Sequence, residues 1–130
     1  MIADTRGIQA YKQVQTESRS PLELVVMLYD GALAALAQAT DAADRKDLRQ
    51  RGRAISQALA IIGTLQENLN VAEGGAVAQE LDRLYAYAIS RLIDVTVKHD
   101  RSAITEIQKL LSGLRDAWNQ IATSPAQLTA

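Results

Sequence analysis

The chain of 130 residues contains no cysteine and only one histidine, His99. Without cysteine there are no disulfide bonds, no thiolate catalysis and no cysteine-based zinc site. No HExxH spacing, Glu-x-x-His di-iron spacing, phosphate-binding glycine loop or paired-carboxylate motif occurs either. We therefore expect no enzyme, no metal site and no cofactor. His99 stands beside Asp100 at a predicted helix boundary, where it is expected to cap a helix or face solvent.

An excess of charge of one sign is also lacking. Lys and Arg together number 14 and Asp and Glu 15, which gives a net charge of -1. That balance provides no general attraction to nucleic acid or to anionic membranes. No N-terminal apolar run resembles a signal peptide, and no run of about 18 residues is free of charged or polar side chains. The sequence predicts a soluble, cytoplasmic protein without nucleic-acid binding or membrane insertion.

Proline is nearly absent, and its two positions bracket the regular part of the chain. Between Pro21 and Pro125 the sequence is rich in strong helix formers, and β-branched residues are scattered rather than alternating. Apolar residues three and four positions apart predict four helices, at about 20–44, 47–69, 76–99 and 100–121. Connections this short make successive helices antiparallel. The predicted fold is all-α, an antiparallel up-down four-helix bundle.

The bundle is predicted to occupy residues 20–122. Residues 1–19 carry isolated apolar side chains among polar ones, which indicates a tail or a short helix packed on the bundle. Residues 123–130 are expected to form a flexible C-terminal tail.

The first helix has more apolar surface than one packing face requires. Ser20 and Glu23 match a capping box, and Pro21 suits the first helical position. The apolar residues that follow span an arc of roughly 220°, against about 100–140° for one face. Such a helix is either central in the bundle, where the N-terminal segment helps to cover it, or has a partner that covers it.

The few aromatic residues are assigned from their positions on the predicted helices. Tyr85 and Tyr87 point to nearly opposite sides of the third helix, so one is expected in the core and one at the rim. Trp118 lies on the apolar stripe of the fourth helix and is expected in the core.

Several motifs occur in a fixed order between Gly7 and Ile121. They are Gly7-Ile8-Gln9-Ala10-Tyr11-Lys12-Gln13-Val14; Ser20-Pro21 with Glu23-Leu24 and Met27-Leu28-Tyr29-Asp30-Gly31; Gly74-Gly75; Leu81 with Leu84-Tyr85, Tyr87 and Arg91-Leu92; and Asp100, Glu106, Leu110-Leu111 and Leu114-Arg115-Asp116-Ala117-Trp118. In order and spacing these motifs resemble the FliS family, the flagellar export chaperones of flagellin.

The resemblance implies a non-catalytic helical bundle that binds the disordered C-terminal segment of flagellin. It further implies that the protein prevents premature polymerisation and helps to deliver its client to FlhA, the gate protein of the flagellar type III export system. A segment that folds on binding needs a long apolar groove. We assign six residues to that groove: Leu24, Leu28, Ala35, Ile61, Leu65 and Tyr87.

The resemblance also implies a role for the N-terminal segment. Ile8, Tyr11 and Val14 are predicted to form a lid on the apolar surface near Leu24, Leu28 and Tyr29. Flagellin would displace this lid and free it for FlhA, because the family's gate contact corresponds to Ile8 and Tyr11.

Two other interpretations compete with the chaperone. In the first, the surplus apolar surface is the seam of a homodimeric helical protein that has no client, or supports weak self-association. In the second, Asp100 and Glu106 serve as acid and base in an enzyme, although no pocket is indicated near them.

Overall fold

A computed structural model describes residues 20–69 and 71–123 of the chain. It contains four α-helices in sequence: α1 (Pro21–Asp44), α2 (Leu48–Glu67), α3 (Val71–Val97) and α4 (Ser102–Ala122). No strand occurs in these ranges. The predicted all-α four-helix bundle is therefore confirmed. The proposed N-terminal lid falls outside the described residues.

The helix starts follow from local capping. At the start of α1, the Ser20 hydroxyl accepts a hydrogen bond from the Glu23 amide at 3.1 Å, and Pro21 occupies the first helical position. Asp47 caps α2 by accepting from the Gln50 amide at 3.1 Å. The N-cap of α4 is Arg101 rather than the predicted Asp100. The Asp100 carboxylate nevertheless accepts from the first helical amide at 3.2 Å.

The third helix starts earlier than predicted. The sequence places a connection at residues 70–75, but α3 already begins at Val71 and is interrupted only at Gly75, with φ 59° and ψ -137°. A positive φ is favourable for glycine because it has no Cβ. Val77 is exposed, whereas the next residue, Ala78, is buried. The break is thus one residue wide.

The core is a continuous column of aliphatic and aromatic side chains from all four helices. The largest fully buried ones are Tyr29, Tyr85, Leu36, Ile55, Ile62, Leu92, Ile104, Ile107, Leu111 and Val95. They recur three, four or seven residues apart along each helix, as an amphipathic pattern requires. Leu48 and Ile121, which extend two predicted apolar stripes, are exposed near helix ends.

Helix α1 packs against both α2 and α4, and α3 closes the ring by packing against the same two helices. Two neighbours explain much of the wide apolar arc of α1. Among the described helices, α1 is long and apolar enough to cross a membrane by length and composition. The same composition is expected of a helix buried on several sides in a bundle. Val25 and Leu28 are partly buried and Met27 is exposed, so the other described helices leave some apolar surface of α1 uncovered.

Candidate functional site

An apolar cavity of about 340 Å³ opens where α1 begins and where α2 and α4 end. Its wall consists of six aliphatic or proline residues, two aromatic rings and two polar residues: Pro21, Leu24, Val25, Leu28, Leu65, Leu69, Tyr85, Trp118, Thr64 and Asn68. A cavity of about 150 Å³ already accommodates benzene. The space is therefore large enough for one or more apolar side chains from a partner, and none of the described residues that line it is charged.

Three aromatic residues are hydrogen-bonded at the inner side of this cavity. The indole Nε1 of Trp118 donates to the Tyr29 hydroxyl at 3.2 Å, and the hydroxyls of Tyr29 and Tyr85 share a short hydrogen bond. Their side chains join α4, α1 and α3. Burial raises the pKa of both Tyr29 and Tyr85, so both phenols stay protonated at neutral pH.

The sequence-based assignments of these aromatic residues are partly confirmed. Tyr85 is buried in the core and Tyr87 is exposed, as their opposite orientations predict. Trp118, expected in the core, is only partly buried because one side of its ring lines the cavity. The residue therefore belongs to both the core and the cavity wall.

The structure brings together three of the six predicted groove residues. Leu24, Leu28 and Leu65 line the cavity. Ile61 is half-buried against α1, where its Cδ1 lies 3.3 Å from the position that a Cβ on Gly31 would take.

The remaining two groove residues lie elsewhere. Ala35 is 1% exposed, so its side chain is enclosed in the bundle core. Tyr87 is 46% exposed, and its hydroxyl donates to the Glu106 carboxylate between α3 and α4. Tyr29, predicted to lie on the surface under the lid, is fully buried beneath the cavity wall. The lid residues Ile8, Tyr11 and Val14 fall outside the described ranges.

The sequence analysis missed seven wall residues: Pro21, Val25, Thr64, Asn68, Leu69, Tyr85 and Trp118. The antiparallel topology could have indicated several of these wall residues. The start of the first helix and the ends of the second and fourth must meet at one end of such a bundle. Apolar residues at those three termini are therefore candidates for a shared surface.

The opposite end of the bundle is rich in ion pairs. Arg91 contacts three carboxylates: its Nε lies 2.7 Å from Glu106, and its Nη1 lies 3.1 Å from both Asp94 and Asp100. Arg101 adds a contact of 2.5 Å with Asp44 across the two turns. The Arg91 contacts hold the end of α3 to the start of α4, and the Arg101 contact joins the turn before α4 to the end of α1.

The two carboxylates considered for acid–base chemistry serve as acceptors in this network. Hydrogen bonds from Ser102 and then from Arg91 lower the pKa of Asp100. The Tyr87 hydroxyl and then Arg91 lower the pKa of Glu106. A general acid that works near neutral pH needs a raised pKa instead. Both groups are therefore assigned to stabilising the charged end.

A buried arginine lies near this end. Arg51 is 7% exposed, its Nη2 is 3.3 Å from Nδ1 of His99, and within the described residues its Nε has no hydrogen-bond partner. His99 itself is exposed with a φ of 55°, which agrees with the prediction that it faces solvent. Among residues 20–69 and 71–123, no group of three or more His, Cys, Asp or Glu residues is placed to hold a metal ion.

Comparison with known proteins gives one consistent result. The family model for the flagellar protein FliS matches residues 4–125. The flagellar secretion chaperone FliS of Salmonella typhimurium is 40% identical over 121 residues, which cover 89% of this chain and 90% of that protein. FliSB of Pseudomonas aeruginosa is 36% identical over 121 residues, covering 90% and 96%. FliS of Bacillus subtilis is 29% identical over 115 residues, covering 88% and 85%. The family model matches nearly the whole chain, and a relative that is 40% identical covers 89% of it, so this chain belongs to the FliS family.

Proposed function

We propose that this flagellar export chaperone binds the C-terminal segment of flagellin in the cytoplasm, with the apolar cavity at the start of α1 as an anchoring site. Binding there keeps the segment from polymerising early and prepares it for delivery to FlhA. The observation that carries the proposal is the open wall formed by Leu24, Leu28 and Leu65 in a chain of this family. Such a protein acts by binding, so no catalytic residue is assigned.

The chemistry of the cavity suits a client that is disordered before it binds. Ordering such a segment costs conformational entropy, which burial of apolar side chains has to offset. Six aliphatic or proline residues and two aromatic rings form most of the wall. Two of these wall residues, Val25 and Leu28, are only partly buried, so part of their apolar surface is available on α1. A client segment with apolar side chains on one face would bury them here as an amphipathic helix does in a groove.

Calorimetric titration with a peptide of the C-terminal segment of flagellin tests the proposal directly. We expect binding in a one-to-one ratio with a large negative heat-capacity change, because apolar surface is buried. Absence of binding by a folded, helical bundle would contradict it. Gel filtration of the protein alone tests the competing homodimer. An obligate homodimer would elute at the size of a dimer, whereas a chaperone without its client can elute as a monomer.

Substitution of Leu28 locates the site. Leu28→Asp places a carboxylate in a wall to which the described residues contribute no cation, and we expect the peptide to bind at least about tenfold more weakly. Ile93→Asp is the matched control, because Ile93 is 45% exposed and lies outside the cavity wall. It should leave affinity unchanged. If Leu28→Asp also loses helical circular dichroism, Leu28 supports the fold rather than the site.

The lid remains part of the proposal. Ile8, Tyr11 and Val14 would cover the surface near Leu24 and Leu28 in the free protein, and flagellin would release them for contact with FlhA. The support is the motif at residues 7–14 together with an apolar wall that the described helices leave open. Deletion of residues 1–16 should leave peptide affinity unchanged or higher and weaken binding to FlhA. Loss of peptide binding would instead place the segment in the binding site.

A further inference from the structure

A second apolar surface lies on α3, away from the cavity. Arg91 faces α4, where its Nε contacts Glu106 at 2.7 Å. Residues two positions apart in a helix point about 200° apart, so Ile93 is directed away from α4. Ile93 is 45% exposed, and Val97, about one turn further on, is 69% exposed. Ala86 lies seven residues before Ile93 on the same side and is also exposed. These residues form an apolar row that the other described helices leave exposed.

The adjoining side of α2 is formed by small and polar residues. Ile61 faces α1, since its Cδ1 lies 3.3 Å from the position that a Cβ on Gly31 would take. Gly63, two residues later, is therefore directed away from α1, and a Cβ placed there would meet no atom within 4 Å. Ser56 and Arg49 precede Gly63 by seven and fourteen residues, so they lie in the same row.

One hydrogen bond fixes how the two rows lie beside each other. The Gln66 amide donates to the Asp82 carboxylate at 3.0 Å across the antiparallel pair of α2 and α3. Ala58 lies eight residues before Gln66, and Ser90 lies eight residues after Asp82, so Ala58 and Ser90 are level with each other. The rows on α2 and α3 therefore form one face, and its midpoint is at this level.

The two ends of the α2 row carry opposite charges. Arg49 and Glu67 are both exposed, and they stand nine residues before and nine residues after Ala58. Eighteen residues make about five helical turns, so the two side chains leave α2 on the same side, about 27 Å apart. Among the described residues neither has an ion-pair partner. The row thus begins with a basic residue and ends with an acidic one, and both are open to a partner.

A second copy of the chain satisfies both ends at once. A rotation of 180° about an axis that crosses both helices at the midpoint makes α2 face α2 and α3 face α3, each pair antiparallel. Arg49 of one copy then faces Glu67 of the other, and symmetry repeats the pair. The same axis brings Ile93, three residues after Ser90, opposite Ala86, four residues before it. A large apolar side chain therefore meets a small one, again twice.

We propose that this face of α2 and α3 binds a second copy of the chain in this antiparallel, two-fold arrangement. The charges favour a second copy over an unrelated partner, because one surface supplies both members of each ion pair. Ser56 and Gly63 leave room for the two α2 helices to approach. The face has few large apolar side chains, so association is reversible and depends on concentration. None of these residues lines the cavity, so the pair leaves it free for a client.

Charge reversal in the full-length protein tests the pairing, with sedimentation equilibrium at low salt as the measurement. Arg49→Glu places like charges opposite each other at both ends of the pair and should raise the dimer Kd about tenfold. Glu67→Arg should have the same effect. An equimolar mixture of the two variants should recover association, because their heterodimer again has opposite charges at both ends.

Controls separate this face from general charge effects and from the client site. Lys109→Glu makes the same change in net charge on an exposed part of α4 and should leave self-association unchanged. Ile93→Asp should weaken self-association and leave the affinity for the flagellin peptide unchanged. A protein that is monomeric at every concentration, association that neither charge reversal alters, or a mixture that does not recover would overturn the proposal. A loss of peptide affinity in Ile93→Asp would overturn it as well and assign the face to the client.

Discussion

The two ends of the bundle have opposite surface chemistry. At the end where α1 and α2 are joined and α3 passes to α4, Arg91 contacts Asp94, Asp100 and Glu106, and Arg101 contacts Asp44. At the other end, aliphatic side chains surround a cavity of about 340 Å³, and no charged residue among those the structure describes lines it. One end is held together by its own side chains, and at the other the described helices bury apolar side chains such as Val25 and Leu28 only in part.

The difference shows how a small helical protein divides stability and binding along one axis. Exposed ion pairs contribute little one at a time, but several carboxylates on one arginine restrict the geometry of a turn. The side chains around an open apolar cavity, in contrast, lack the close packing that stabilises a core. A partner that fills the cavity restores those contacts. Stability is therefore expected to depend on the charged half and client binding on the apolar half.

The largest expected change in the free energy of unfolding comes from a comparison of two leucine substitutions. Leu92 is fully buried on α3 toward the charged end, and Leu92→Ala should reduce the free energy of unfolding by about 2–5 kcal/mol, since it removes packed methyl groups and leaves a void. Leu28→Ala, at the partly buried cavity wall, should cost only about 1 kcal/mol. Denaturation in urea measures both values.

Binding should show the reverse order for the same two variants. Leu28→Ala should weaken binding of the flagellin peptide, whereas Leu92→Ala should bind with unchanged affinity under conditions in which it is folded. Equal losses of stability, or a binding defect in folded Leu92→Ala that exceeds the defect in Leu28→Ala, would mean that the two ends are not separate in function.

An intermediate change in the free energy of unfolding is expected at high pH, because the tyrosine pair beneath the cavity ionises there. Burial raises the pKa of Tyr29 and Tyr85 above the ordinary value of 10.0, so the unfolded chain loses these protons first. The stabilisation is complete below pH 10 and declines as the pH rises further, by up to about 1.4 kcal/mol per pH unit for each tyrosine. Urea denaturation at increasing pH measures the slope.

Tyr85→Phe serves as the comparison for the alkaline slope. It removes one of the two buried phenols and should therefore give a shallower decline than the wild type. Ultraviolet difference absorbance provides a second observable, because the buried phenols should ionise together with unfolding rather than before it. An unchanged slope in Tyr85→Phe would show that this pair does not control the alkaline transition.

The smallest effect is expected at the charged end. Arg91→Gln removes the cation shared by three carboxylates and should lower the Tm by less than Leu92→Ala does. Because the pKa values of Asp100 and Glu106 are lowered in the folded protein, their contribution is present above the ordinary carboxyl pKa and is lost as the pH falls through the lowered values. The difference in Tm between Arg91→Gln and the wild type should therefore become smaller in acid and in high salt.

Arg83→Gln is the matched control for this variant. Among the described residues Arg83 pairs with Glu80 alone, at 3.7 Å, and both side chains are largely exposed. Such a pair contributes almost nothing, so its removal should leave the Tm unchanged. If Arg83→Gln and Arg91→Gln had the same effect, the network at the charged end would be no more than a set of independent surface pairs.

The local features of this protein were determined by the sequence itself. The caps at Ser20 and Asp47, and the spacing of apolar residues three and four apart, involve groups within one or two helical turns. They predicted four helices, the fold class and the opposite orientations of Tyr85 and Tyr87. The family motifs likewise depend only on order and spacing along the chain.

Only the tertiary structure decided which apolar residues face a shared space. An arc of apolar side chains does not specify which neighbour covers it, so Leu28 and Ala35 looked equivalent on the first helix, yet one lines the cavity and the other is enclosed in the core. The hydrogen bonds that join Tyr29, Tyr85 and Trp118 link positions on three helices. Their geometry depends on how those helices pack, and packing is a property of the folded chain rather than of any one segment.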